Sequence, residues 1–427
     1  MKGIALEAKS VSSIIEDLIA RKIFNSRGEE TIEVDVITTS GFGRASAPSG
    51  KSRGKAEVLY YPQGGVDQAL KKIDDLIAPE LAGLNADFQE EIDNTLHEID
   101  GTANFKIIGG NTAFAISLAN AEAAANSHGL LLFQFLGGNT ANKLPYPLGN
   151  CISGGKHARG KAPDIQEYLA LPHGAETFLE AATANTQIHK KIGGVLKKKD
   201  KIFSGGKSSE GAWIANLGNL EAFEVISKAC EEVGNELDFE CGFGIDVAAS
   251  SLWKEKEKKY IYENEGKKRD AAEQLEFILD LIEKYHLAYV EDPFHEEDFE
   301  GFAELTKKVK SCLICGDDLF TTSSDRLNHG ITLNAANAII IKVNQIGTLT
   351  DALETIEKAQ VHGYTTVMSH RSGDTCDWHI AHLAVAFKCP IIKTGIVEGA
   401  RIAKINELIR IEHFLGSKAK MADLKVL

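Results

Sequence analysis

No stretch of the 427-residue chain approaches the roughly 18 consecutive apolar residues that a membrane-crossing helix requires, so a membrane span is not expected. The first residues, Met1-Lys-Gly-Ile-Ala-Leu-Glu-Ala-Lys9, are broken by charge too early for a secretory signal. A soluble, cytoplasmic protein is the expectation. Positive charge is also scarce. With 47 Lys and Arg against 61 Asp and Glu, the net charge is −14. That argues against general nucleic-acid binding, because a chain that tracks phosphates carries a basic face. Any anionic ligand must then be held by a local cluster of cations. The seven cysteines are odd in number and scattered, in a chain long enough to need no covalent staples, so reduced thiols are expected. Cys312-Leu-Ile-Cys315 has the spacing of a redox or zinc pair, but it sits in an apolar run with no second pair and reads as buried core.

The length accommodates a barrel of about 250 residues beside a second domain. The early chain reads as an α+β domain over residues 1–140. Thr31 to Ile37 alternates at period two, and Gly41-Phe-Gly43 turns it into an antiparallel partner near Arg44 to Ala47. Pro48-Ser-Gly-Lys-Ser-Arg-Gly54 is a basic, hydroxyl-rich loop suited either to closing over an anion or to a surface turn. Helices are predicted from Val66 to Ala82, from Asp87 to Ile99 with Asp87 as cap, and from Asn111 to Ser127 with a small-residue stripe at Ala113, Ser117, Ala121 and Ala124.

Pro145-Tyr-Pro147 marks entry into a catalytic (β/α)8 barrel over residues 141–427. Its first strands, Leu148 to Ile152 and Gln166 to Leu171, are joined too tightly for a helical crossover and should pair antiparallel. A helix over 175–199 follows, and then Ser204 to Trp213, a glycine-rich loop carrying Glu210. Its Gly-Gly-Lys-Ser lacks phosphate-loop spacing. From Asp238 strands and helices alternate, with helices near 270–284, 298–309, 349–361, 377–388 and 401–415.

Six short apolar runs in this part end alike, closed by Asp246, Glu291, Asp317, Lys342, His370 and Lys393. From Glu291 onward the closing residues are 23 to 28 apart, the length of one strand plus its helix. The longer first step holds a charged insertion, Trp253 to Gly266, expected as a hairpin. In a parallel barrel the carboxyl ends of the strands face the active-site mouth, so these residues should converge. Asp246, Glu291 and Asp317 offer only oxygen ligands, which suits a hard divalent cation, Mg2+ above all. Facing them, Lys342 and Lys393 stand with His370, Arg371 and Ser372 between. One cation about 4 Å from another lowers a lysine by about three pKa units, which would make Lys342 a neutral base near 7–8. Such a site takes a small polyanion and removes a proton beside its carboxylate. Elimination also needs an opposing acid, for which Glu210 and Glu167 are available.

These motifs resemble the enolase family of glycolytic 2-phosphoglycerate dehydratases along nearly the whole chain. The resemblance rests on Asn25-Ser-Arg-Gly28, Pro48-Ser-Gly50, Gly154-Gly-Lys-His157, Gln166-Glu167, Ser209-Glu-Gly211, Glu291-Asp-Pro-Phe294, Gly316-Asp-Asp-Leu319, Ile341-Lys-Val-Asn-Gln-Ile-Gly347, Ser369-His-Arg-Ser-Gly373 and Lys393-Thr-Gly395. A lysine base opposite Mg2+ is the known arrangement of that superfamily. The resemblance implies that Lys342 takes the C2 proton and that Glu210, supported by Glu167, assists loss of the C3 hydroxyl. It implies Asp246, Glu291 and Asp317 around a first Mg2+, Lys393 at the substrate carboxylate, and Arg371 and Ser372 at the phosphate. His157, His370 and Ser52 would lie on closing loops, with Ser52 helping a second Mg2+, and Gln166 would border the substrate. A homo-oligomer, dimer or octamer, is implied as well.

The chain departs from the family pattern at Ser209, at the basic Lys156, Arg159 and Lys161, at Asp374-Thr-Cys-Asp377 and at Ile396-Val-Glu-Gly-Ala-Arg401. Two rivals remain: another dehydratase or racemase of the superfamily, acting on a phosphate-free acid, and a non-catalytic scaffold on the same fold.

Overall fold

The computed structural model describes residues 12–427 except 52, 159, 200, 202, 425 and 427. It opens with three antiparallel strands in the order β1 (Ile15–Phe24), β2 (Glu30–Thr38) and β3 (Phe42–Ser46). The turn at Gly41 is where the sequence puts it, but β1 was not expected. Its Ile-Glu-Asp-Leu-Ile-Ala-Arg-Lys-Ile-Phe run buries Ile15 and Leu18, three apart, and its register slips between Ile15 and Asp17. No period-two signal survives that pattern.

The helix Gly110–Ser127 lies across this sheet, with every residue but Glu122 and Asn126 buried. The expected small-residue stripe is therefore only part of a helix enclosed on all sides. Gly43 permits the close approach, since a Cβ there would stand 2.0 Å from the Ala119 carbonyl oxygen. Two local expectations fail. Asp87 does not cap the helix Gln89–Asp100, because its carboxylate lies 2.9 Å from His128 Nε2 and Phe88 occupies the cap position. The helix expected to Ala82 is also interrupted: Gly65–Lys72 passes through a π turn, Ile73–Ile77, before Ala78–Leu81. Pro79, which cannot donate a backbone hydrogen bond, accounts for the wider turn before it.

Eight strands then close a barrel: β4 (Tyr146–Ser153), β5 (Glu167–Leu171), β6 (Gly242–Asp246), β7 (Tyr289–Glu291), β8 (Leu313–Gly316), β9 (Ala338–Ile341), β10 (Thr365–Ser369) and β11 (Ile391–Gly395). Strand β5 runs antiparallel to both β4 and β6, as its short connection requires, and β11 pairs parallel with β4 to close the ring. The insertion after β6 is a three-stranded sheet, Trp253–Lys254, Lys259–Tyr262 and Lys267–Arg269, rather than a hairpin. Helices Asn219–Leu237 and Ser324–Leu333 were not expected either. Both Cys312 and Cys315 are fully buried, unpaired core residues.

The barrel's filling is one apolar cluster that includes Tyr146, Leu148, Leu169, Leu171, Tyr289, Leu313, Cys315, Ala338, Ile340, Val367 and Ile391. Each buried Leu or Ile contributes about 1.5–3 kcal/mol. Because the cluster draws inward-facing residues from every strand but β6, whose inward position is Gly244, it also fixes which residues face the axis at the mouth.

Candidate active site

Successive residues of a strand point to opposite faces. Following each inward row from the apolar cluster toward the mouth therefore identifies the site. Tyr146 and Leu148 lead to Asn150, Leu171 and Leu169 to Glu167, Gly244 to Asp246, and Tyr289 to Glu291. Leu313 and Cys315 lead to Asp317, Ala338 and Ile340 to Lys342, Val367 to Ser369, and Ile391 to Lys393. The barrel is dry below and charged above because each row changes chemistry over its last two positions.

Register brings three of the acids side by side, since Glu167 pairs with Asp246, and Asp246 with Glu291, across adjacent strands. Lys393 Nζ answers all three, at 3.0 Å from Glu167, 3.2 Å from Asp246 and 2.7 Å from Glu291. Burial works against its charge, but the carboxylates of Asp246, Glu167 and Glu291 outweigh it and hold this ammonium well above the ordinary lysine range. Gln166 Nε2 donates to Asp246 Oδ2 at 3.3 Å. Glu291 is fully buried, and burial, reinforced by the charges of Asp246 and Asp317, pushes it up to about 8.

Lys342 donates to Asp317 Oδ2, while Gln345 Nε2 donates to Oδ1 of the same carboxylate at 3.0 Å. This overturns the expectation of a lysine lowered toward neutrality by Lys393. Burial does push Lys342 down, but the adjoining Asp317 carboxylate outweighs burial and the like charges of Arg371 and Lys393, leaving it above its ordinary value. Asp317 is in turn fixed from behind, its backbone N–H donating to Asp292 Oδ1 at 2.9 Å.

The opposite wall carries Glu167, Glu210, His157 and His370. His157 Nδ1 lies 3.0 Å from Glu167 and 3.8 Å from Glu210, and His370 Nε2 lies 3.7 Å from Glu210. Asn150 Nδ2 donates to Glu210 Oε2 at 3.0 Å. Burial raises Glu167, and the negative charge of Glu210 raises it further. Burial acts on Glu210 too, but His157, His370 and a hydrogen bond from Glu167 hold it well below the carboxylate range. The two acids are thus pushed in opposite directions, Glu167 up and Glu210 down. Gly395 allows this loop to seat: a Cβ there would stand 2.2 Å from the Glu210 carbonyl oxygen.

Arg371 and Ser372 lie beside Lys51 on the same pocket, which is also lined by His157, Gln166, Glu167, Glu210, Asp246, Asp317, Lys342, His370 and Lys393. Arg371 forms a buried pair with Glu57 at 3.0 Å. Ser372 Oγ receives Arg27 Nη1 at 2.7 Å and the Lys51 N–H at 2.9 Å. Ser52 and Arg159 lie outside the described residues. Glu57, Arg27, Asn150, Asp292 and Gln345 were not singled out from sequence. Arg27, Asp292 and Gln345 fall inside family motifs, so proximity to Asn25-Ser-Arg-Gly28, Glu291-Asp-Pro and Lys342-Val-Asn-Gln was the available signal.

Among the described residues, the acid and histidine trios whose donor atoms approach within 4.8 Å are His157–Glu167–Glu210 and Asp292–Asp317–Asp318. The set expected from sequence, Asp246, Glu291 and Asp317, is not among them, because Asp317 is drawn to Lys342 and Gln345 while Asp246 and Glu291 share Lys393. The surroundings nonetheless fit a hard cation. The donors are all oxygen, Glu291 Oε1 is buried with no hydrogen-bond partner among the described residues, and Glu291 is raised by burial and by the charges of Asp246 and Asp317.

Comparison with known proteins gives a consistent result. The family model described as "Enolase, N-terminal domain" matches residues 15–136, and "Enolase, C-terminal TIM barrel domain" matches 141–427. The protein named enolase from Methanosphaera stadtmanae is 54% identical over 415 residues, covering 97% of this chain and 100% of that protein. The enolase of Methanothermobacter thermautotrophicus is 53% identical over the same shares. That of Pyrobaculum aerophilum is 48% identical over 96% of this chain and 99% of its own. The chain belongs to the enolase family, the phosphopyruvate hydratases.

Proposed function

We propose that the barrel mouth carries out the Mg2+-dependent, reversible dehydration of 2-phosphoglycerate to phosphoenolpyruvate. The observation that supports this most is the division of one pocket into a lysine-bearing wall and a wall of two acids and two histidines, with an arginine and serine at its edge.

Lys342, as the free amine, removes the C2 proton, and the electron pair left behind is delocalised into the substrate carboxylate. Lys393 stabilises that carboxylate by charge. Glu167, the more basic of the two acids, supplies a proton that Glu210 passes to the C3 hydroxyl on the other side, so the leaving group departs as water. Asn150 and the two histidines hold Glu210 in place. Arg371 and Ser372 receive the phosphate, which draws on the guanidinium now held by Glu57. Asp246, Glu291 and Asp317 would hold a divalent cation, which would supply positive charge to the substrate carboxylate; Asp317, once engaged there, would hold the Lys342 proton less tightly. A second Mg2+, recruited through Ser52 with the substrate, belongs to the same reading. So do a division into domains at 140/141, a cytoplasmic location and a homo-oligomeric assembly.

The test is phosphoenolpyruvate absorbance from 2-phosphoglycerate with Mg2+ and with a chelator, beside phosphate-free glycerate. Turnover that needs both Mg2+ and the phosphate is expected. Turnover of glycerate at a similar rate would establish the rival dehydratase reading, and absence of any turnover the scaffold reading.

A further inference from the structure

Arg401 lies in the helix Gly399–Leu415, is fully buried, and has no role in the reaction set out above. Its guanidinium nevertheless joins the two segments that carry the acid wall. Nη1 donates to His370 Nδ1 at 2.9 Å, to the Arg371 carbonyl at 2.7 Å and to Asp374 at 3.2 Å. Nη2 donates to the carbonyls of Ser209 at 3.0 Å and Ser372 at 2.8 Å. Ser209 immediately precedes Glu210, so one side chain sets the Glu210 loop against the segment after β10.

The chemistry of the partners then fixes a proton. A guanidinium has donors only and stays charged. His370 Nδ1 must therefore present its lone pair, and a neutral ring carries its hydrogen on Nε2, the nitrogen that faces Glu210 Oε2 at 3.7 Å. Burial pushes His370 well below the ordinary histidine range, and the charge of Arg401 pushes it the same way. The neutral form is thus the one present at pH 7.

We propose that Arg401 is a positioning residue for the acid step: it fixes His370 as the Nε2–H tautomer, so that an N–H faces Glu210, and it holds Glu210 at that distance through Ser209. This rests on the assignment of Glu210 as the proton donor. When Glu210 gives its proton to the departing hydroxyl and water leaves, the carboxylate that remains meets an N–H rather than a lone pair. In the reverse direction the same N–H is present while Glu210 takes a proton from water.

The decisive measurement is a long-range proton–nitrogen correlation spectrum of the full chain with 15N-labelled histidine. His370 is assigned by the signal lost in His370→Gln, and no substrate is needed. The wild-type ring is expected as Nε2–H with bare Nδ1, and Arg401→Met should lose that preference. A wild-type ring carrying its hydrogen on Nδ1, or charged at pH 7, overturns the proposal, as does an unchanged tautomer in Arg401→Met.

Kinetics give a second arm that does not depend on Arg401→Met folding. Glutamine places an N–H where Nε2 stands and asparagine does not, so His370→Gln should keep kcat about tenfold above His370→Asn, with KM within about threefold. The opposite ranking overturns the proposal. In both variants exchange of the C2 proton with deuterated water should persist, because Lys342 is untouched. A wild-type protein with the expected tautomer but no dehydratase activity would instead sink the proposed function and leave the tautomer assignment standing.

Discussion

Replacing Glu57 by glutamine tests whether the pair it forms with Arg371 is a structural clamp that phosphate must share. Arg371 Nη2 donates to both Glu57 oxygens, at 3.0 and 3.1 Å, and Nη1 to Oε2 at 3.1 Å. Only 3% of the arginine side chain and 1% of the glutamate side chain is exposed, so neither charge has recourse to water. Asn344 Oδ1, at 3.1 Å from Nη1, supplies a neutral acceptor only. Glutamine is isosteric, so the change removes the negative charge and turns one acceptor into a donor facing other donors. Breaking a buried ion pair from one side costs about 3–5 kcal/mol. At about 2.1 cal/mol/K per residue, a chain of 427 residues changes by about 0.9 kcal/mol per degree, so the melting temperature should fall by about 3–6 °C. Thermal unfolding with increasing inorganic phosphate provides the assay. An anion that binds Arg371 replaces the lost charge, so phosphate should raise the melting temperature more in Glu57→Gln than in the wild type. A shift below about 1 °C, or equal phosphate protection in the two proteins, would refute the reasoning.

Two further outcomes follow from the pocket's charges. Lys342→Ala should abolish both turnover and exchange of the C2 proton while leaving Mg2+-dependent thermal stabilisation in place, and unchanged turnover would remove Lys342 as the base. Glu291 makes the metal-free protein sensitive to alkali. Its carboxyl is raised from 4.5 to about 8, so its contribution to stability is full below 4.5 and is lost as pH rises through 8. In chelator, Glu291→Gln should therefore gain on the wild type from pH 5 to pH 9, and saturating Mg2+ should reverse the order. A difference that does not vary with pH would contradict this.

Legibility in the sequence followed the strength of the period. The strand ends were visible because a row of branched aliphatics that stops at a charged residue marks a buried strand reaching a polar mouth, and Ile339-Ile-Ile-Lys342 is the plainest case. Strand β1 was hidden because its glutamate, aspartate, arginine and lysine break the alternation. Helix Ser324–Leu333 was hidden because it buries only Leu327 and Gly330 and carries no apolar face worth the name. Helix Asn219–Leu237 is different. Its Ala222, Val225, Ile226, Ala229 and Val233 do recur at helical spacing and are buried, so the signal was present there and unread.

What alternation cannot carry is who pairs with whom at the mouth, and there the differences have a single physical origin. Two lysines facing three acids suggested lysines that lower one another. Yet each ammonium turns to the carboxylates within its reach, on the next strand or across the mouth, before it senses the other ammonium. Lys342 meets Asp317 from the next strand, and Lys393 meets Glu167, Asp246 and Glu291 across the pocket. The same competition separates Asp317 from Asp246 and Glu291. A base that must be neutral to act and a carboxylate that must be free to hold a cation are thus bound to each other, and any cation that takes Asp317 must weaken the grip on the Lys342 proton. Metal affinity and the acidity of Lys342 should accordingly move together. Asp317→Asn, which keeps the shape and loses the charge, should weaken Mg2+ protection against heat. In the chelated protein it should also lower the pKa of Lys342, read by amine-selective labelling across pH. A Lys342 pKa unchanged in that variant would mean that the lysine is held charged by something other than Asp317.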